Sequence, residues 1–204
     1  MLKLSYQGKL IEAGVDEAGR GCLAGPVFAA AVILPKKFRN KLLNDSKQLD
    51  ERTRYILREI IEKEAISYAV ANVSEKEIDK INILKASIKA MHYALSDLSV
   101  TPELIIVDGN RFYDYKEIKH KCIIKGDGIY QNIAAASILA KTYRDDFMRK
   151  AHEQYPDYNW LNNKGYGTKA HVEAIRKIGY CPLHRKTFVV KSLQQMPLFE
   201  NSYI

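Results

Sequence analysis

Four acidic residues stand where an α/β chain would build a site. Asp16 and Glu17 close the apolar run that begins at Ile11, Asp108 ends the run Leu104 to Val107, and Asp127 follows Gly126 just ahead of an Ala-rich helical stretch. In open α/β sheets, ligands collect at the carboxyl ends of strands. Carboxylates gathered there repel anions but suit a hard divalent cation such as Mg²⁺ or Mn²⁺. Two such ions, roughly 3.5 to 4 Å apart, are the usual device for in-line displacement at a phosphodiester. Taken singly, each of these residues reads equally well as a solvated loop carboxylate.

The segment around the first pair is more specific. After Asp16 and Glu17 the chain breaks into Gly19, Arg20, Gly21 and Gly25. Successive strand side chains alternate faces, so the two carboxylates share one site only if Glu17 lies at or beyond the strand end. The glycines permit a tight turn and close approach of a ligand to the backbone, and Arg20 offers a planar fork of donors suited to phosphate. A dinucleotide fingerprint is not met, because the third glycine comes one residue late and carboxylates precede the loop. A phosphate loop also fails, since no Gly-Lys-Ser/Thr follows.

Composition sets wider bounds. The 204 residues are 47% hydrophobic and 27% charged, which fits one globular core with a smaller appendage. The longest apolar run, Val27 to Leu34, is too short to span a bilayer, and the opening residues carry no signal-peptide pattern, so a cytoplasmic protein without membrane attachment is expected. Cys22, Cys122 and Cys181 are widely spaced and odd in number, which indicates neither a disulfide framework nor a zinc site. The net charge of +8 fits a polyanionic partner. Residues 151–204 carry seven basic and four acidic side chains against 25 and 20 in residues 1–150, so the positive bias per residue rises toward the C-terminal end.

The elements that must position the carboxylates follow from periodicity. Ile11 onward, Val27 to Leu34 and Tyr68 to Val73 read as three strands, the first two joined antiparallel. A helix from about Asp50 gathers Ile56, Leu57, Ile60 and Ile61 on one apolar face, and Ser74 with Glu77 forms a capping box ahead of a short helix. Leu84, Ile88, Met91, Leu95 and Leu98 make a core stripe on a longer helix. Leu104 to Val107 and Lys121 to Lys125 read as the last two strands, and a long helix follows from about Ile129 to His152. Tyr155 to Gly167 is irregular and aromatic, and Lys169 to Ile178 is a separate amphipathic helix. The order describes an α/β fold: a mixed five-stranded sheet flanked by helices, divided here into a core over 1–150, a helical extension over 151–191 and a tail over 192–204.

Several motifs occur together in order. They are the opening segment Ile11 to Pro26, Asp108-Gly109, Gly126-Asp127, Ala135 to Lys141 followed by Arg144-Asp145, Gly165 to Thr168, and His184-Arg185. In this set the chain closely resembles bacterial ribonuclease HII over about residues 10 to 190. The sibling family, ribonuclease HIII, usually has an extra domain ahead of the motif and lacks the Gly-Arg-Gly form, so the short lead before Asp16 and the presence of Arg20 favour HII.

The resemblance implies a ribonuclease H-like fold and an endonuclease that cuts the RNA-containing strand of RNA/DNA duplexes. It implies that Asp16, Glu17, Asp108 and Asp127 bind two divalent ions and carry catalysis. It assigns the reading of the 2′-hydroxyl to Gly19, Arg20 and Gly21 together with Tyr166. Lys47, Lys141 and Arg144 are candidates for phosphate contacts, with pairing to Asp145 or another carboxylate as the alternative for Arg144. His171 and His184 are expected to be structural or to contact the backbone. Two other functions share these features: a DNA nuclease or junction resolvase, and a catalytically silent hybrid-binding protein, which the complete carboxylate set argues against. A monomer is expected. In the tail, Gln195, Leu198 and Phe199 resemble a peptide that docks on the DNA sliding clamp, the alternative being that they fold back on the protein's own surface.

Overall fold

The structure is a computed structural model that describes residues 2–44, 46 and 48–190. Strands β1 (Glu12–Ala18), β2 (Val27–Ile33), β3 (Ser67–Val73), β4 (Leu104–Asp108) and β5 (Lys119–Ile123) form one mixed sheet in the order β3-β2-β1-β4-β5. The first three strands run as an antiparallel meander, and β1, β4 and β5 are parallel. Strand β1 pairs with β4 over Glu12–Val15 and with β2 over Gly14–Ala18; β2 is apolar and buried throughout, and β1 is buried from Glu12 to Asp16 despite its acidic residues.

Helices close both faces. On one face lie α2 (Glu75–Ile81) and α3 (Ile83–Ser96), whose Ile78, Ala86, Ala90, Met91 and Leu95 pack on Val15, Ala29 and Ile105. On the other lie α1 (Glu51–Glu64) and α4 (Gln131–Gln154), where Ala134, Ala135, Ile138 and Leu139 meet Ala30, Val32, Leu57 and Ile61. Asp50 caps α1 by accepting from the Thr53 amide; of the expected Ser74–Glu77 box, Ser74 accepts from the Glu77 amide while the Glu77 carboxylate pairs with Lys89.

Contact between α4 and β1 is unusually close because Gly14 has no side chain. A Cβ built there would sit 2.2 Å from the Asn132 carbonyl carbon. Asn132 also ties the layers together, donating to Glu12 O at 3.0 Å and accepting from the Leu34 amide at 3.1 Å.

The C-terminal extension consists of a short 3₁₀ turn at Pro156–Tyr158, α5 (Trp160–Asn163) and α6 (Lys169–Ile178). Trp160, Tyr158 and Ile175 form a small cluster that takes in Ala24 from the Gly-rich loop and Met148 and Ala151 from α4. The extension is thus packed against the loop that follows β1. Among the described residues, no helix is long and apolar enough to cross a membrane.

Candidate active site

Parallel pairing of β1 with β4 brings the first two carboxylates together. The register sets Val15 against Val107, so Asp16 and Asp108 leave adjacent strands side by side. Asp127 arrives from the 3₁₀ turn Gly126–Gly128 that leads into α4, and the Gly126 amide donates to Asp108 at 2.7 Å. One oxygen each from Asp16, Asp108 and Asp127 lies within 4.8 Å of the others.

Asp16 is buried, and its pKa is raised well above the usual carboxylate range by desolvation, then by the charges of Glu17 and Asp108. A hydrogen bond from Ser137 and one from the Glu17 amide at 2.7 Å oppose the rise. Such a convergence of hard oxygen donors, costly while unneutralised, fits a divalent ion. Asp16, Asp108 and Asp127 are the residues that would hold it.

Glu17 does not join that triad. Strand β1 runs on to Ala18, so Glu17 is still inside the strand and points to the opposite face from Asp16. Its carboxylate accepts from Arg20 at 3.0 Å, and it borders a second groove toward α3. The expectation that the strand would stop at the carboxylate pair is corrected here: four carboxylates line the neighbourhood, but three converge.

Two members of the triad, Asp16 and Asp108, open into a cavity of about 380 Å³ lined also by Glu17, residues 18–21, Ser46, Ser137, Lys141 and Tyr166. Gly19, Arg20, Gly21, Lys141 and Tyr166 are therefore gathered beside the carboxylates, as their motifs suggested. Lys141 is ion-paired with the buried Asp145 at 2.6 Å. Lys47 lies outside the described residues, as do Gln195, Leu198 and Phe199.

Arg144 is a correction. It is 1% exposed, so no backbone phosphate reaches it, and Asp145 does not pair with it. Its guanidinium donates to Pro26 O at 3.3 Å, Lys164 O at 2.9 Å and Ala24 O at 3.2 Å. It passes directly under Gly19, whose φ of 95° and missing Cβ make room for it. Sequence reading took the positive charge at face value, but a planar five-donor fork also satisfies buried carbonyls.

Arg185 does the same for the other side of the loop, donating to Gly25 O and Arg20 O at 2.9 Å each. Burial lowers its pKa to about 10. Its motif was visible in the sequence, and its role was not. Ser46 and Ser137 were also missed: their hydroxyls lie 2.9 Å apart beside Asp16, and only their presence in the polar turn and in the Ala-rich helix could have signalled them.

Tyr166 is held from behind by a chain of neutral histidines. The Cys181 amide donates to His184 Nδ1 at 3.0 Å, which leaves the proton on His184 Nε2 to bridge 3.1 Å to His171 Nε2. His171 Nδ1 then donates to Tyr166 O at 2.9 Å. Burial lowers both pKa values, that of His184 to about 4, so both rings stay neutral at physiological pH. The expectation of a structural, backbone-contacting role holds for both.

The triad predicts a metal-dependent stability. A carboxylate whose pKa is raised by folding keeps a proton that the unfolded chain releases. Its favourable contribution is complete below the unfolded value of about 3.9 and is lost as pH rises through the folded value. A divalent ion takes the proton's place. Added Mg²⁺ should therefore raise the melting temperature more at pH 8 than at pH 5, measured against EDTA. Equal shifts at the two pH values would detach the ion from Asp16.

The family model for ribonuclease HII matches residues 13–192. Ribonuclease HII of Bacteroides thetaiotaomicron is 64% identical over 186 residues, covering 91% of this chain and 93% of that protein. The solved ribonuclease H2 of Pyrococcus horikoshii OT3 superposes with a TM-score of 0.72 at 29% identity, over 87% of this chain and 93% of that one. The ribonuclease HII of Archaeoglobus fulgidus, solved as a complex with PCNA, shares the fold with a TM-score of 0.75 at 24% identity, over 89% and 96% of the two chains.

Proposed function

The chain belongs to the ribonuclease HII family, whose members are endonucleases acting on RNA/DNA hybrids, and on that premise we propose how its own site does the work. It hydrolyses the RNA-containing strand, including ribonucleotides embedded in DNA, and leaves 5′-phosphate and 3′-hydroxyl ends. The observation that carries this reading is one cavity lined both by Asp16 and Asp108, two members of the carboxylate triad, and by the Gly19 to Gly21 segment with Tyr166. Hydrolytic and sugar-reading groups face the same ligand.

Two divalent ions, Mg²⁺ or Mn²⁺, would supply an attacking water of lowered pKa and charge to stabilise the leaving 3′ oxygen. The chain's residues do the rest. Asp16, Asp108 and Asp127 would hold the ions, with Glu17 contributing from the wall of the cavity it shares with Asp16 and Asp108. Ser137 and the Glu17 amide orient the Asp16 carboxylate. The backbone of Gly19, Arg20 and Gly21, steadied by Arg144 and Arg185, meets the 2′-hydroxyl, the group that distinguishes RNA from DNA. Tyr166 presses on the sugar, while Lys141 and Lys47 face phosphates.

The test is a labelled DNA duplex with a single ribonucleotide, run beside its all-DNA twin with Mg²⁺, Mn²⁺ or EDTA. Cleavage is expected only in the first duplex and only with metal. Equal cleavage of both would make the protein a DNA nuclease, and binding without cleavage would make it a silent hybrid binder.

The tail adds a partner. Gln195, Leu198 and Phe199 suit a sliding clamp, Leu198 and Phe199 as apolar anchors and Gln195 as a hydrogen-bonding register. A tether of this kind raises the local concentration of an enzyme that searches DNA for rare ribonucleotides. Leu198→Ala with Phe199→Ala should abolish binding to the clamp of the same organism and leave cleavage of a short duplex unchanged. Clamp binding that survives the double change would rule the tail out.

A further inference from the structure

A second cavity, of about 160 Å³, shares Glu17, Arg20 and Asp108 with the first. The residues that differ place the two on opposite sides of the sheet. Helix α4 supplies Ser137 and Lys141 to the first cavity, whereas α3 supplies Ser87 to the second, and the turn after β4 adds Asn110 and Arg111. The pair straddles the carboxyl end of the sheet and meets at the carboxylates.

Ser87 is the unusual member. It is 2% exposed, and its hydroxyl has no hydrogen-bond partner. A helical serine can satisfy itself by bonding back to the carbonyl one turn earlier, and this one does not. A buried hydroxyl left unpaired keeps the full cost of its lost hydration, which a ligand in the cavity that it lines would offset.

The other groups say which ligand. Arg111 is exposed and, among the described residues, has no ion pair. Arg20 has one nitrogen on Glu17 at 3.0 Å, and half of its side chain remains exposed. Two guanidinium groups repel a cation, and with a hydroxyl and the Asn110 amide they match a phosphate. Two carboxylates line the cavity as well, but Glu17 is already paired with Arg20, and Asp108 belongs to the triad that suits a divalent ion.

We propose that this second cavity holds a phosphate of the cut strand that flanks the scissile one, with Arg111 and Arg20 supplying charge and Ser87 a directed donor. This rests on the reading of the chain as a ribonuclease. Phosphate contacts set register rather than sequence, so a phosphate held on one side of the sheet end aligns its neighbour with the carboxylates.

The test uses duplexes with a single ribonucleotide, in each of which a different phosphate near the cut is replaced by an uncharged methylphosphonate. For the parent, Arg111→Ala and Ser87→Ala, kcat/KM is measured with Mg²⁺ and affinity by fluorescence anisotropy in EDTA. At one flanking position the replacement should cost the parent about 10-fold in both. Arg111→Ala should lose a similar factor on the unmodified duplex and little more from the replacement at that position, because the interaction is already gone. Ser87→Ala should lose about 3- to 10-fold, again less than additively there, and melt no lower than the parent, since an unpaired buried hydroxyl has been removed. Losses that add at every position overturn the proposal, as does parental behaviour of Ser87→Ala. A Ser87→Ala protein that melts lower and weakens equally on every duplex marks a packing residue and overturns it too. If the parent cuts no ribonucleotide-containing duplex, the ribonuclease reading has failed, while the affinities in EDTA still show whether one phosphate is held by Arg111 and Ser87.

Discussion

Asp16→Asn or Asp108→Asn is expected to remove cleavage almost entirely while leaving the metal-free protein at least as stable as the parent. An amide oxygen can still accept from the Glu17 amide at position 16, or from the Gly126 amide at position 108, so the local hydrogen bonds survive. What disappears is a negative charge in a triad whose members lie within 4.8 Å of one another. That loss relieves repulsion in the free protein and removes a charged ligand from the divalent site. The drop in rate should exceed the roughly 10- to 100-fold typical of changes around a metal's ligands. Calorimetry with and without Mg²⁺ beside a cleavage assay gives both readouts. A variant within a few-fold of parental activity would take its residue out of the metal site.

The largest effect on the fold is expected at Gly14→Ala. The added methyl would lie 2.2 Å from the Asn132 carbonyl carbon and 2.4 Å from both Asn132 O and Ile133 N. All three are backbone atoms of α4, so no side chain can swing away to relieve the clash. The central strand and its covering helix must separate, and the Asn132 bridge between Glu12 O and the Leu34 amide is strained with them. Overpacking a tight core costs about 1–3 kcal/mol even where side chains can adjust. At the upper end, a chain of this size should melt roughly 10 °C lower. A melting temperature within about 2 °C of the parent would show that the two layers have slack that the structure does not contain.

Most of the architecture was legible because it rests on local patterns. Apolar runs marked β1, β2 and β4, and capping residues marked α1 and α2. Errors fell where charge masks structure. Strand β5 begins at Lys119, two residues ahead of the expected start at Lys121, because it is an edge strand whose lysines face outward, and it stops before Lys125, held at a φ of 57°. The carboxylates were found as a set, since motifs at strand ends survive small errors of register. The strand end was placed one residue early: β1 runs through Glu17 to Ala18, and Glu17 still lines the cavity it shares with Asp16 and Asp108. Arg144 and Arg185 were legible as charges only. Nothing local says that their partners are carbonyls from more than a hundred residues away.

Those two arginines also bear on the order in which the protein folds. Arg144 reaches Ala24 across 120 positions of sequence, and Arg185 reaches Arg20 across 165. On a ribosome, the Gly-rich loop emerges well before the residues that fasten it. Contacts of such separation require the ends of a long loop to meet first, an entropic cost that defers them until the intervening chain is ordered. The sheet can therefore assemble and bury its apolar surface while the loop beside Asp16 is still loose. The loop beside Asp16 is therefore fixed only after the extension has docked, so the carboxylates of the sheet are in place before the cavity wall beside them.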